Sequence, residues 1–136
     1  MDKKYKELLL KDICARLPYE VKVQYKDDIF TIDYISGIYE EIKLDTPDRY
    51  TIDISEVKPY LFPMSSMTEE QKKYISNKWG INEEFDFEID PNWGEYFVEL
   101  GYTVEFIDWL NKNHFDYRGL IDKSLALDAT GLNIYN

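Results

Sequence analysis

One cysteine and one histidine stand in a chain of 136 residues. A lone Cys14 excludes an intrachain disulfide and suits a reducing compartment, so a cytoplasmic setting is expected. Cys14 and His114 together fall short of the roughly four soft or imidazole ligands that a structural zinc needs. The six glycines are scattered singly, so neither a phosphate-cradling loop nor a G-x-S-x-G elbow is present. The longest apolar run at the start, Leu8-Leu9-Leu10, is far below the ~20 residues of a membrane span. Met1-Asp2-Lys3-Lys4 leads directly into mixed charge, and no signal peptide is expected. Positive charge is also sparse: 16 Lys and Arg face 27 Asp and Glu, a net charge of −11. Such a field repels phosphate backbones, and the densest lysines (Lys3, Lys4, Lys6) are interleaved with acids, so direct nucleic-acid binding is not expected.

What is present is apolar and aromatic. Apolar residues make up 44% of the chain and aromatics 16%, enough for a core despite the charge. Residues 3–17 carry Tyr5, Leu8, Leu9, Ile13 or Cys14, and Leu17 at helical spacing, with Lys4, Lys6, Lys11 and Asp12 on the other side and Pro18 as the stop. The period then changes to two. Val21, Val23 and Tyr25, then Phe30, Ile32 and Tyr34, then Ile38, Ile42 and Leu44, then Tyr50, Ile52 and Ile54 mark four short strands joined by polar turns. Lys58-Pro59-Tyr60-Leu61-Phe62-Pro63 reads as an extended clamp on the open edge of the sheet. Ser66-x-x-Glu69 has the pattern of a capping box and predicts a helix over 67–77, ended by Gly80. Phe85, Phe87 and Ile89 alternate with acids, Pro91-Asn92-Trp93-Gly94 is a turn, and Tyr96 and Val98 supply a partner strand. Thr103 predicts the cap of a third helix over 104–113, followed by an apolar tail. The expected fold is therefore α+β in a single domain, 1–136. A β-meander fills 19–63, as an SH3-like barrel or a twisted antiparallel sheet with helices on one side; helix, acidic hairpin, helix and tail fill 66–136.

Tests for chemistry return little. Asp86-x-Glu88-x-Asp90 has the alternation of a calcium loop, but Pro91 and Phe97 stand where that loop needs glycine and a bidentate acid; strand alternation accounts for the spacing. No catalytic residue, metal or cofactor is assigned. His114, with Asp116 two residues on, is read as a helix C-terminal residue whose partial positive charge the helix dipole stabilises. Cys14 is expected to be buried.

The acids are concentrated. Between Trp79 and Asn111 lie nine (Glu83, Glu84, Asp86, Glu88, Asp90, Glu95, Glu99, Glu105, Asp108) and no Lys or Arg. Trp79, Trp93, Tyr96 and Tyr102 fall in or beside this stretch, and aromatics of this kind are enriched at interfaces. Two readings stand: a solvated face, or a contact surface for a basic protein partner. In the second, Trp79, Glu83, Glu84, Asp86, Glu88, Trp93, Tyr96 and Tyr102 form the surface, supported by His114 and Arg118.

Three blocks carry a resemblance. LLLKDICARLPYEVKVQY (Leu8–Tyr25), VKPYLFPMSSMTEEQ (Val57–Gln71) and DWLNKNHFDYRGLI (Asp108–Ile121) resemble a family of small proteins of anaerobic gut bacteria, often carried in prophages and other mobile elements. Members differ most between Asp27 and Ser55, and the resemblance carries no activity, cofactor or catalytic residue with it. It implies a cytoplasmic accessory protein. Sequence and resemblance together point to a non-enzymatic protein that binds another macromolecule. The competing readings are an acidic DNA mimic that inhibits a host DNA-binding or defence protein, a carboxylate-metal hydrolase, and a phage structural component.

Overall fold

The computed structural model describes residues 1–80 and 104–135. Three helices, α1 (Lys3–Arg16), α2 (Glu69–Trp79) and α3 (Val104–Lys112), accompany six strands: β1 (Lys22–Tyr25), β2 (Asp28–Ser36), β3 (Glu41–Leu44), β4 (Ile52–Asp53), β5 (Val57–Leu61) and β6 (Leu127–Asp128). The strand order is β4-β3-β2-β1-β5-β6, antiparallel throughout except for the parallel pair β5–β6. The fold is α+β. The sheet is open, with the two-residue strands β4 and β6 as edges at opposite ends, so of the two expected forms it is the sheet with a helix on one face and not the closed barrel.

α1 closes one face of the sheet instead. Asp2 caps it by accepting from the Lys4 amide at 2.8 Å, and the chain leaves through a single 3-10 turn, Leu17–Tyr19, that Pro18 begins to set. Leu9 and Ile13 pack on Val21, Val23, Ile32, Ile42, Leu44, Ile54, Val57 and Leu61, all buried. Alternation in β2 is broken by a bulge between Ile32 and Tyr34, which keeps Ile32 and Ile35 on the core side and turns Tyr34 out. Tyr34 is thus exposed, although a strict period of two puts it beside Ile32. Cys14 is exposed as well; Ile13 takes the buried position that the helical period left open between the two.

The 58–63 segment does not clamp an edge. It is mostly β5, an interior strand, with Val23 paired to Pro59 on one side and Tyr60 and Leu61 paired to β6 on the other. Proline inside a strand lacks a ladder donor, and here alternation removes the difficulty. The Leu61 carbonyl accepts from the Ala129 amide on the β6 side, so the Pro59 nitrogen faces that side too, beyond where β6 pairs with Tyr60. Past β1, Phe62 exchanges both backbone hydrogen bonds with the segment after α3: its amide donates to the His114 carbonyl and its carbonyl accepts from the Asp116 amide, each at 2.8 Å.

α2 and α3 build a second core from Met64, Met67, Ile75, Phe106, Leu110, Phe115 and Tyr117. The capping box of α2 lies two residues beyond the predicted one. Thr68 accepts from the Gln71 amide at 3.1 Å and the Gln71 side chain accepts from the Thr68 amide at 2.9 Å. The Ser66 hydroxyl instead donates to the Pro63 carbonyl at 2.6 Å and closes the preceding turn. The predicted 85–98 hairpin and the Thr103 cap lie outside the described residues. The capping assignment sets an order of stabilities: Thr68→Ala costs about 1 kcal/mol in urea unfolding and Ser66→Ala less, and the reverse order contradicts it.

Candidate functional site

The most concentrated polar chemistry in the described residues lies where α1 meets the segment after α3. Asp12 and Arg16 are fully buried. They share a helix face four residues apart, and Arg16 grips Asp12 with two bonds: Nε to Oδ2 at 2.9 Å and Nη2 to Oδ1 at 3.2 Å. Nη2 also donates to the Phe115 carbonyl. Arg118 reaches the same carboxylate from the far end of the sequence, Nη1 to Asp12 Oδ1 at 3.1 Å, and donates to the Tyr117 hydroxyl at 2.8 Å. The Tyr117 hydroxyl donates to Asn111 Oδ1 at 2.9 Å, and both guanidiniums lie over its ring, Arg16 at 5.3 Å and Arg118 at 4.7 Å from the centroid. Burial works against the charge on Arg16, and Asp12 more than restores it. The sequence reading put Asp12 on the solvent side of α1; its two arginine partners draw it inward.

Asp116, also buried, is a cap rather than a base. It accepts from the amides of Leu120 at 2.8 Å and Ile121 at 2.9 Å, and burial holds its carboxyl above the ordinary aspartate range. Arg118, expected at the contact surface, is half-buried and engaged by Asp12 and the Tyr117 hydroxyl.

His114 ends α3 as expected, but in a different state. It occupies the position just past the helix, at φ 62°, where glycine is usual. Its amide donates to the Asn111 carbonyl and that of Phe115 to the Leu110 carbonyl, the two bonds of a Schellman motif. The side chain turns inward. It is buried, its Nδ1 has no hydrogen-bond partner, and the Tyr135 ring lies flat against it, centroids 3.6 Å apart at 16°. Burial, followed by the positive fields of Arg16 and Lys22, lowers its pKa to about 4. The imidazole is thus neutral at physiological pH, and the partial cation expected from the helix dipole is overridden by desolvation.

Two surface recesses adjoin this region. The larger, about 570 Å³, runs over His114, Tyr135, Phe62, Gln71, Lys112 and Glu20. The smaller, about 230 Å³, lies over Tyr74, Trp79 and Trp109 with Lys78, Glu105 and Asp108 at its margins, and the two share Tyr19 and Lys112. Its floor is a stacked aromatic shelf. Tyr74 and Trp109 stack at 5.8 Å, Trp79 meets the edge of Tyr74 at 5.6 Å, and Trp109 stacks in turn on Phe115 at 5.7 Å. The Lys78 ammonium sits over Tyr74 and Trp79.

Of the sequence-predicted contact residues, Trp79 is on this shelf and His114 floors the adjoining groove. Glu83, Glu84, Asp86, Glu88, Trp93, Tyr96 and Tyr102 lie outside the described residues. Sequence reasoning missed Tyr74 and Trp109. Their signal was position: Tyr74 adjoins the buried Ile75 and Trp109 the buried Leu110, so both flank core positions rather than occupy them. Among the described residues no group of three or more His, Cys, Asp or Glu is placed to hold a metal, and no helix is long and apolar enough to cross a membrane. No protein-family model, curated protein or solved structure matches the chain.

The state of His114 predicts a pH dependence. Above pH about 6.5 the ring is neutral both folded and unfolded, and the shift has no effect on stability. As pH falls toward about 4 the unfolded chain takes up a proton that the folded one refuses, so stability is lost across that window. Between pH 7 and pH 5 urea unfolding loses about 1–2 kcal/mol that His114→Asn, which tolerates the same backbone, does not lose; equal slopes in the two proteins contradict the assignment.

Proposed function

We propose that the chain is a non-enzymatic accessory protein that acts in the cytoplasm by binding a basic protein partner, in the mobile-element setting that the resemblance implies. The observation that carries this reading is the aromatic shelf: Tyr74, 43% exposed, stacked on Trp109 and met edge-on by Trp79 at a surface recess. Rings with a dry face and a wet edge supply contact area at small entropic cost, as interface hot spots do.

The charge of the sequence between α2 and α3 selects the partner. At the shelf itself Glu105 and Asp108 are matched by Lys78 and Lys112; the acidic excess is in the sequence that joins the two helices, which holds Glu83, Glu84, Asp86 and Glu88 and no Lys or Arg. A basic surface is favoured and a phosphate backbone opposed, with the attraction weakening as salt rises. Among the described residues the buried ionisable groups are engaged within the fold: Asp12 and Arg16 with each other, Asp116 with two amides, and His114 in a buried neutral state.

Tyr74→Ser with Asp108→Lys removes the exposed ring and reverses the charge beside it without touching either core. Affinity enrichment from the native host recovers a basic protein with the wild type and at least tenfold less with this variant, which keeps a cooperative melting transition while losing about 1–2 kcal/mol with the ring contacts of Tyr74. Identical recovery by both proteins, or no protein above background, overturns the reading.

A further inference from the structure

The larger groove contains an unusual occupant. β1 stops at Lys22, and Phe62 then takes up hydrogen bonds with the segment around His114, which leaves a gap on the β1 side of β5 between Tyr60 and Phe62. The Tyr135 side chain plugs this gap. Its hydroxyl accepts from the Lys22 amide and donates to the Tyr60 carbonyl, both at 2.8 Å, so one phenol group bridges the two strands where their ladder ends. Its ring lies flat on His114 and at 5.9 Å and 58° to Phe62.

Three features distinguish this arrangement from an ordinary packed tyrosine. The plug forms part of the wall of an open groove of about 570 Å³, within the usual range for ligand sites, and the groove runs on past it toward Gln71, Lys112 and Asn113. Thr130, Gly131, Leu132 and Asn133, which lead to it, are exposed, with Gly131 and Asn133 at positive φ, and β6 has already ended at Asp128; withdrawal of Tyr135 opens no strand ladder. The floor residue His114 accepts a left-handed backbone and a buried Nδ1 without a partner, two local costs that collect where a protein binds something.

We propose that this gap is a tyrosine-reading site for an extended segment of a partner polypeptide, and that Tyr135 is its resident occupant, which the partner's tyrosine displaces. Specificity comes from the hydroxyl: phenylalanine fits the ring position but leaves the Lys22 amide and Tyr60 carbonyl unsatisfied. A tethered plug competes at an effective concentration in the millimolar range, so a peptide of about 100 μM affinity binds the wild type about tenfold more weakly than an unplugged protein. The inference rests on the reading of the chain as a protein-binding domain and names the chemistry that one of its surfaces recognises.

The test uses the full chain and a synthetic peptide with the sequence of Ala129–Tyr135, ATGLNIY, titrated by calorimetry. Tyr135→Ala is expected to bind it at least tenfold more tightly than the wild type, and the peptide ending in Phe to bind Tyr135→Ala at least tenfold more weakly. Tyr135→Phe, which keeps the ring and loses the two hydrogen bonds, falls between the wild type and Tyr135→Ala; it decides the matter if Tyr135→Ala does not fold. No binding to the folded variants, equal affinity for all three proteins, or a wild-type dimer formed by exchange of Tyr135 between copies overturns the proposal. The shelf residues Tyr74 and Asp108 are unchanged in these proteins, so a silent peptide titration beside a positive enrichment refutes the tyrosine site alone.

Discussion

The buried carboxylate of Asp12 is the point on which the two halves of this molecule depend. It lies on the helix that covers the sheet, and it is held by Arg16 from the same helix and by Arg118 from the segment that follows α3. Arg16 extends the connection to the Phe115 carbonyl, and Tyr117 carries it on to Asn111 in α3. One ionic cluster thus fastens the core beneath α1 to the core between α2 and α3. Such clusters are seldom the most stabilising way to fill a space, since desolvation offsets much of the attraction. What they contribute is geometry, because two forked guanidiniums and one carboxylate fit in few arrangements.

That geometry sets the surface proposed to bind a partner. Holding the Phe115 carbonyl fixes the turn after α3, and the turn points His114 inward and Phe115 beneath Trp109. The groove with Tyr135 in it and the aromatic shelf therefore stand on the same short segment, and both border Tyr19 and Lys112. A neutral imidazole suits a binding floor, since a cation beside Arg16 and Lys22 would add repulsion to burial.

How far the sequence discloses this depends on the range of the interactions. α1, the β1–β2 hairpin and the approximate positions of α2 and α3 follow from local period and turn residues, and there the structure agrees with the expectation. Local ambiguity accounts for the small errors. Ser66 and Thr68 both begin a plausible cap, and Ile13 and Cys14 share a place in the helical period. Long-range pairings were beyond a period-based reading. β6 joins β5 from more than sixty residues away, which adds a parallel edge in place of closure into a barrel. Asp12 reads as a surface acid because its partner Arg118 is 106 residues distant. The Tyr135 plug has no local signature at all.

Asp12→Asn, which keeps the shape and removes the charge, shows whether both cores depend on the Asp12 cluster. Urea unfolding followed at once by far-UV circular dichroism, for the sheet and helices, and by tryptophan fluorescence, for the α2–α3 core, is the measurement. The variant is predicted to lose about 3–5 kcal/mol, because the buried Arg16 and the half-buried Arg118 lose their counter-charge and both probes report the loss. A variant within about 1 kcal/mol of the wild type by both probes contradicts that dependence.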